Sequence, residues 1–144
     1  MAAQQTYVFD AELVGSGEVR RLIAVREDLT LVDLHYAIQS AFGWDDDHLY
    51  AFWLDGRFWT ATEQHFTRPC AVHERSGRSA CIRLDRLGLA TGSRVAYVFD
   101  FGDEWRVRLR VADVVADDGL PSPRLLRAVG DAPPQYGIHA THAA

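Results

Sequence analysis

The chain has 144 residues, 48% of them hydrophobic and 11% aromatic, with a formal net charge of −5. That length and apolar content suit one domain with its own core, which excludes a disordered chain as the default. The acidic balance gives no overall pull toward nucleic acid, the two cysteines build no disulfide framework, and no apolar run approaches the ~20 residues of a membrane helix.

The opening MAAQQTYVFD lacks the basic start and apolar run of a secretory signal, so the expectation is a cytoplasmic protein. Residues 7–14 read as a strand, Gly15-Ser16-Gly17 as a turn and residues 18–25 as the hairpin partner. Val19, Ile23 and Val25 share a face of that partner, interrupted by Arg21. A helix follows. Thr30 is a good N-cap, and Asp33 three residues on completes a capping-box-like start. Leu31, Leu34, Ile38 and Phe42, with Ala41 alongside, fall on one helical face, while His35, Gln39 and Ser40 fall toward the other side or the edges. Gly43 suits a left-handed stop.

Residues 48–54 read as an aromatic strand, and Asp55-Gly56 as a hairpin signal before a partner strand at Arg57-Phe58-Trp59-Thr60. Between 61 and 80 the periodicity dissolves into a polar loop. Residues 82–89 read as a short helical turn ended by Gly88 or Gly92. Residues 94–101 are a strand with Val95, Tyr97, Phe99 and Phe101 on one face. Gly102-Asp103 makes a turn. Residues 104–115 form the longest strand, with Trp105, Val107, Leu109 and Val111 on one face and Arg106, Arg108 and Arg110 on the other. Pro121 and Pro123 break the sheet, a turn or short helix covers 124–129, and 138–144 read as a disordered tail. The order β-β-α-β-β with a late hairpin predicts an α+β fold over 1–137. Its mostly antiparallel mixed sheet carries one main helix and is β-grasp-like.

Four segments carry a resemblance: Val19-Arg20-Arg21-Leu22, LVDLHYAIQSAFGW at 31–44, His48-Leu49 with Phe52, and VFDFGDEW at 98–105. A weaker fifth is Gly130-Asp131-Ala132-Pro133-Pro134. Together they resemble the plasmid pRiA4b ORF-3-like proteins, also labelled insertion-element passenger proteins. The resemblance implies a compact α+β domain, an association with mobile DNA and no defined chemistry. Family members carry His at the position of Tyr50, His at the position of Val107, and an acidic-plus-cysteine group where this chain has Gln135-Tyr136-Gly137. A polar site of the family is therefore expected to be weakened here.

Four groups of side chains are candidates for function. His48, Asp100 and Asp103, with Asp45, Asp46 or Asp47 nearby, could hold a divalent metal or share acid–base work. The alternative is that Asp100 and Asp103 merely bond the turn backbone. His65, Cys70, His73 and Cys81 are zinc-type ligands whose spacing matches no standard motif, so two free thiols in a loop compete with that reading. Arg106, Arg108 and Arg110, with Arg20 or Arg21, could meet phosphates. The aromatics of the same strand sit on its opposite face, which argues for core packing instead. Trp44 and Trp59, beside turns, are the expected exposed pair and candidate pocket walls.

The leading expectation is a non-enzymatic binding or interaction module with a protein or nucleic-acid partner, no membrane partner and no cofactor. The alternatives are a metal-dependent hydrolase or nuclease using His48, Asp100 and Asp103, and a nucleic-acid binder using the arginines. Oligomeric state is not legible in the sequence.

Overall fold

The computed structural model describes residues 4–45, 48–60, 65–68 and 78–135. The strands are β1 (Gln5–Leu13), β2 (Arg20–Arg26), β3 (Tyr50–Trp53), β4 (His65–Thr67), β5 (Arg78–Ser79), β6 (Arg94–Phe99), β7 (Trp105–Ala116) and β8 (Arg124–Val129), with one α-helix, α1 (Leu31–Phe42). They form one sheet in the order β5-β4-β3-β6-β7-β1-β2-β8. Only the β4–β5 pair is parallel. This is the expected α+β architecture: a mixed, mostly antiparallel sheet with one main helix. No helix among the described residues is long and apolar enough to cross a membrane.

The helix starts and stops as its sequence dictates. The Thr30 hydroxyl accepts from the Asp33 backbone N–H, and the Asp33 carboxylate accepts from the Thr30 N–H at 2.8 Å. Gly43 ends it at φ 74°, a left-handed conformation open to a residue without Cβ. The helix covers one face of the sheet. There Phe9, Ile23, Phe52, Tyr97, Phe99 and Val107 meet Leu31, Leu34, Ile38 and Phe42 in one core. Each large apolar side chain so buried contributes about 1.5–3 kcal/mol.

Alternation sends the next residue of each strand to the opposite, open face. The register of the ladders lines up rows across that face. One row runs His65, Trp53, Ala96, Arg108, Glu12, Arg20. The next runs Arg94, Arg110, Asp10, Leu22. A smaller apolar cluster of Ala51, Trp53, Ala96 and Val98 lies on this face too, with Phe58 and Phe101 packed on it.

Several expectations need correcting. Residues 124–129 are an edge strand, not a turn or helix: β2 has a free ladder edge, and β8 pairs along it from Arg20 to Ala24. Residues 57–60 are not a strand, because Trp59 has φ 62° and cannot continue a ladder. The partner of β3 is instead β4, which with β5 lies inside the stretch expected to be irregular. Phe101 leaves the face of Val95, Tyr97 and Phe99, since Asp100 at φ 62° turns the chain and delivers Phe101 to the open side. His35 and Gln39 are buried on the packed side of the helix. Residues 82–89 do contain a short 3-10 turn, Leu84–Arg86. The expected tail at 138–144 lies outside the described residues.

Candidate functional site

Two polar neighbourhoods emerge, one under the helix and one on the open face. The first surrounds Tyr97. Its hydroxyl lies 2.7 Å from Nδ1 of His35 and accepts from the Gln39 amide at 3.0 Å. The His35 ring stacks on Tyr50, centroids 3.5 Å apart and 9° from parallel. Val107 sits opposite Tyr97 in the ladder. Of the two positions where the resembling proteins carry histidine, Tyr50 stacks on His35 and Val107 pairs with the tyrosine that bonds it. Nearby, Trp44 stacks on Phe99 at 5.6 Å and lies 5.5 Å from Trp105. Gln135 folds back to this corner, its amide oxygen accepting from the Asp45 N–H at 2.6 Å and its NH2 donating to the Asp45 carbonyl at 3.3 Å. Gln39 Oε1 and the indole N–H groups of Trp44 and Trp105 are buried without a hydrogen-bond partner among the described residues.

The acidic candidates divide. Nε2 of His48 lies 3.5 Å from the Asp100 carboxylate. The other Asp100 oxygen accepts from the backbone N–H groups of Gly102 and Asp103, at 3.1 and 3.3 Å. Asp100 is thus buried and bonds its own turn, while Asp103 is exposed and enters that bond through its backbone. Among the described residues no three His, Cys, Asp or Glu side chains gather as a metal site. Asp46 and Asp47 lie outside the described residues, as do Cys70 and His73. His65 stacks on Trp53 at 4.9 Å, and Cys81 is exposed.

The arginine candidates divide as well. Arg21 is buried on the helix side, where it donates to the carbonyls of Ala41, Arg20, Val129 and Gly130 and lies over the Phe42 ring. It does not reach the open face. Arg106 pairs with Glu104 at 2.7 Å and lies over Phe58 at 5.2 Å. Arg108 and Arg110 join Arg20 and Arg94 in a groove of about 260 Å³ that also contains Asp10, Glu12 and the backbone of Gly56. Arg20 bridges the two carboxylates at 3.1 and 3.2 Å, and Arg110 lies 3.7 Å from Asp10. Arg94 and Arg108 make no ion pair among the described residues. Four guanidinium groups against two carboxylates leave the groove locally positive in an acidic chain.

The tryptophan expectation holds for one member of the pair. Trp59 is 44% exposed, while Trp44 is 5% exposed and packed in the core. Trp59 stands on the open face, edge-on to Trp53 at 5.1 Å and to Phe101 at 5.0 Å. Its indole N–H donates to Glu104 at 2.9 Å. The guanidinium of Arg106 first, and then this N–H, hold the Glu104 carboxyl below the usual carboxylate range. Aromatic side chains thus share the arginine face after all, delivered from β3 and the flanking turns rather than from β7. Alternation within β3 was the available signal, because Trp53 has the parity of Ala51.

The plasmid pRiA4b ORF-3-like protein family matches residues 5–137. The uncharacterised protein y4hQ of Sinorhizobium fredii is 31% identical over 119 residues, 81% of this chain and 58% of that protein. The chain therefore spans a little over half the length of that relative. The crystal structure of a protein of unknown function, MM3350 of Methanosarcina mazei Go1, superposes with a TM-score of 0.78 at 22% identity, covering 99% of this chain and 80% of that one. That likeness concerns the fold alone. With nearly its whole described length matched, the chain belongs to the plasmid pRiA4b ORF-3-like protein family.

Proposed function

We propose that the protein is a non-enzymatic, cytoplasmic binding module whose ligand is anionic and whose site is the arginine groove of the open face. One observation carries this reading. Arg94 and Arg108 stand exposed in a groove of about 260 Å³ without a carboxylate partner among the described residues. An unpaired guanidinium offers planar, forked donors to phosphate, sulfate or carboxylate, and in a groove several such donors act on one ligand. The polar groups under the helix support the non-enzymatic part. Tyr97, Asp100 and Gln135 are engaged by neighbours inside the fold. The plasmid in the family's name supports a link to mobile DNA.

Heparin serves as a polyanion probe of the groove. At low ionic strength the protein is retained on immobilised heparin and elutes with added salt, since salt shortens the Debye length and screens attraction between exposed charges. The double variant Arg94→Gln, Arg108→Gln elutes at clearly lower salt. A protein that flows through at low salt, or a double variant that elutes with the wild type, would sink the reading.

A further inference from the structure

The geometry points to a single-stranded nucleic acid as the anionic ligand, its phosphates held by Arg94 and Arg108 and one of its bases stacked on Trp59. This rests on the groove being the ligand site and adds the occupant. Three observations lead to it. First, groove and ledge share one face of one sheet: Trp53, Ala96 and Arg108 are consecutive members of a cross-strand row. Second, Arg106 joins the two regions. It precedes Arg108 on the same side of β7, lies over Phe58, and shares Glu104 with the Trp59 indole. Third, Trp59 is half exposed although Trp53 and Phe101 flank it and a hydrogen bond fixes its N–H edge. A core tryptophan would be covered, and a loose one would lack such supports. The result is a ring held in place with area left open.

A positive groove beside an aromatic ledge is the combination that tracks a single strand: the cations follow the backbone, and the ring takes an unpaired base by its π-face. A duplex hides its base faces in the stack, so the ledge gains it nothing. Heparin and inorganic phosphate have no base, so they engage the arginines alone. The expected salt dependence is shallow. With a slope of about −0.7 per phosphate neutralised on a single strand, two arginines give a slope of log K against log salt of roughly −1.4.

The test is fluorescence anisotropy of the full chain with an end-labelled oligothymidine and with a labelled duplex of equal length. The single strand is expected to bind at least tenfold tighter than the duplex. Trp59→Ala is expected to lose about fivefold to a hundredfold in single-strand affinity, the range found for one stacked base. Trp59→Phe, which keeps a stacking ring, recovers most of that loss. Equal affinity for duplex and single strand overturns the inference without any variant, so a Trp59→Ala protein that fails to fold does not rescue it. Single-strand affinity unmoved in a folded Trp59→Ala also overturns it. Heparin retention separates the two failures: if it persists, the groove stands and only the strand assignment falls. If it too is absent, the groove reading falls with it.

Discussion

Arg20 and Arg21 are neighbours in β2, and they show how differently the two faces of this sheet use the same side chain. Arg21 points under the helix, where its guanidinium donates to four backbone carbonyls from three parts of the chain. Its donors serve the fold. Arg20 points to the open face, where it bridges Asp10 and Glu12 at the wall of a groove that holds two arginines with no such partner among the described residues. Burial explains the difference. A charge removed from water must find its full set of acceptors within the protein, while an exposed charge can leave donors to solvent or a ligand. The Arg21 guanidinium is therefore closed to partners by its own bonding, and the groove beside Arg20 is not.

Stability measurements can break this contrast. Phe99→Ala, under the helix and fully buried, is expected to cost about 3–5 kcal/mol in urea denaturation. Arg108→Ala on the open face stays within about 0.5 kcal/mol. Comparable costs would mean that the open face is structural too. Arg21→Met is expected to cost about 3 kcal/mol, since it strands buried carbonyls. Arg20→Met, which breaks two partly exposed ion pairs, costs less than about 1 kcal/mol. Gly130→Ala sharpens the point, because Gly130 supplies one of the Arg21 acceptors. Gly130 has φ 74°, and a Cβ there would run into the carbonyl oxygen of Glu18. The expected loss exceeds about 1 kcal/mol in thermal unfolding.

The smallest effect is the acid response of the ledge. The Glu104 carboxyl is held below its ordinary range, by Arg106 first and Trp59 second. A depressed folded-state value means that its contribution is complete above the ordinary carboxylate pKa of about 4.3. That contribution is lost as pH falls through the lowered value. The Trp59 emission, taken as wild type minus Trp59→Phe, is expected to stay flat above the ordinary carboxylate range and to change only on the acid side. In Glu104→Gln that acid limb disappears. A change centred near neutrality would detach Trp59 from Glu104.

Local chemistry made part of this molecule legible from sequence. Thr30, Asp33 and Gly43 mark the helix because caps are short-range, β6 shows itself as an unbroken apolar run, and β7 by its alternation from Trp105 to Val111. What escaped was decided by partners far along the chain. His35 and Gln39 are polar and read as helix exterior, yet both are buried because Tyr97, about sixty residues later, offers them a hydroxyl. β8 is a strand because β2 had an edge to fill. The candidate groove was half visible: the parity of Arg108 and Arg110 follows from alternation. Arg94 joins them only through the β6–β7 register, and Arg106 leaves for Glu104. The aromatic ledge depended on left-handed backbone at Trp59 and Asp100, which no residue type announces.

The place of β1 in the sheet has a consequence for biosynthesis. Gln5–Leu13 sits in the middle of the fold, between β2 and β7, and its β7 partner is Trp105–Ala116. The ribosome therefore releases one side of the central seam about a hundred residues before the other. Until β7 and then β8 emerge, the β1–β2 hairpin has both edges bare and an apolar face with no lasting cover. Such non-local closure slows folding and leaves partly made chains prone to unwanted pairing. Nascent chains stalled before residue 105 are the stage at which a chaperone would matter most to this protein.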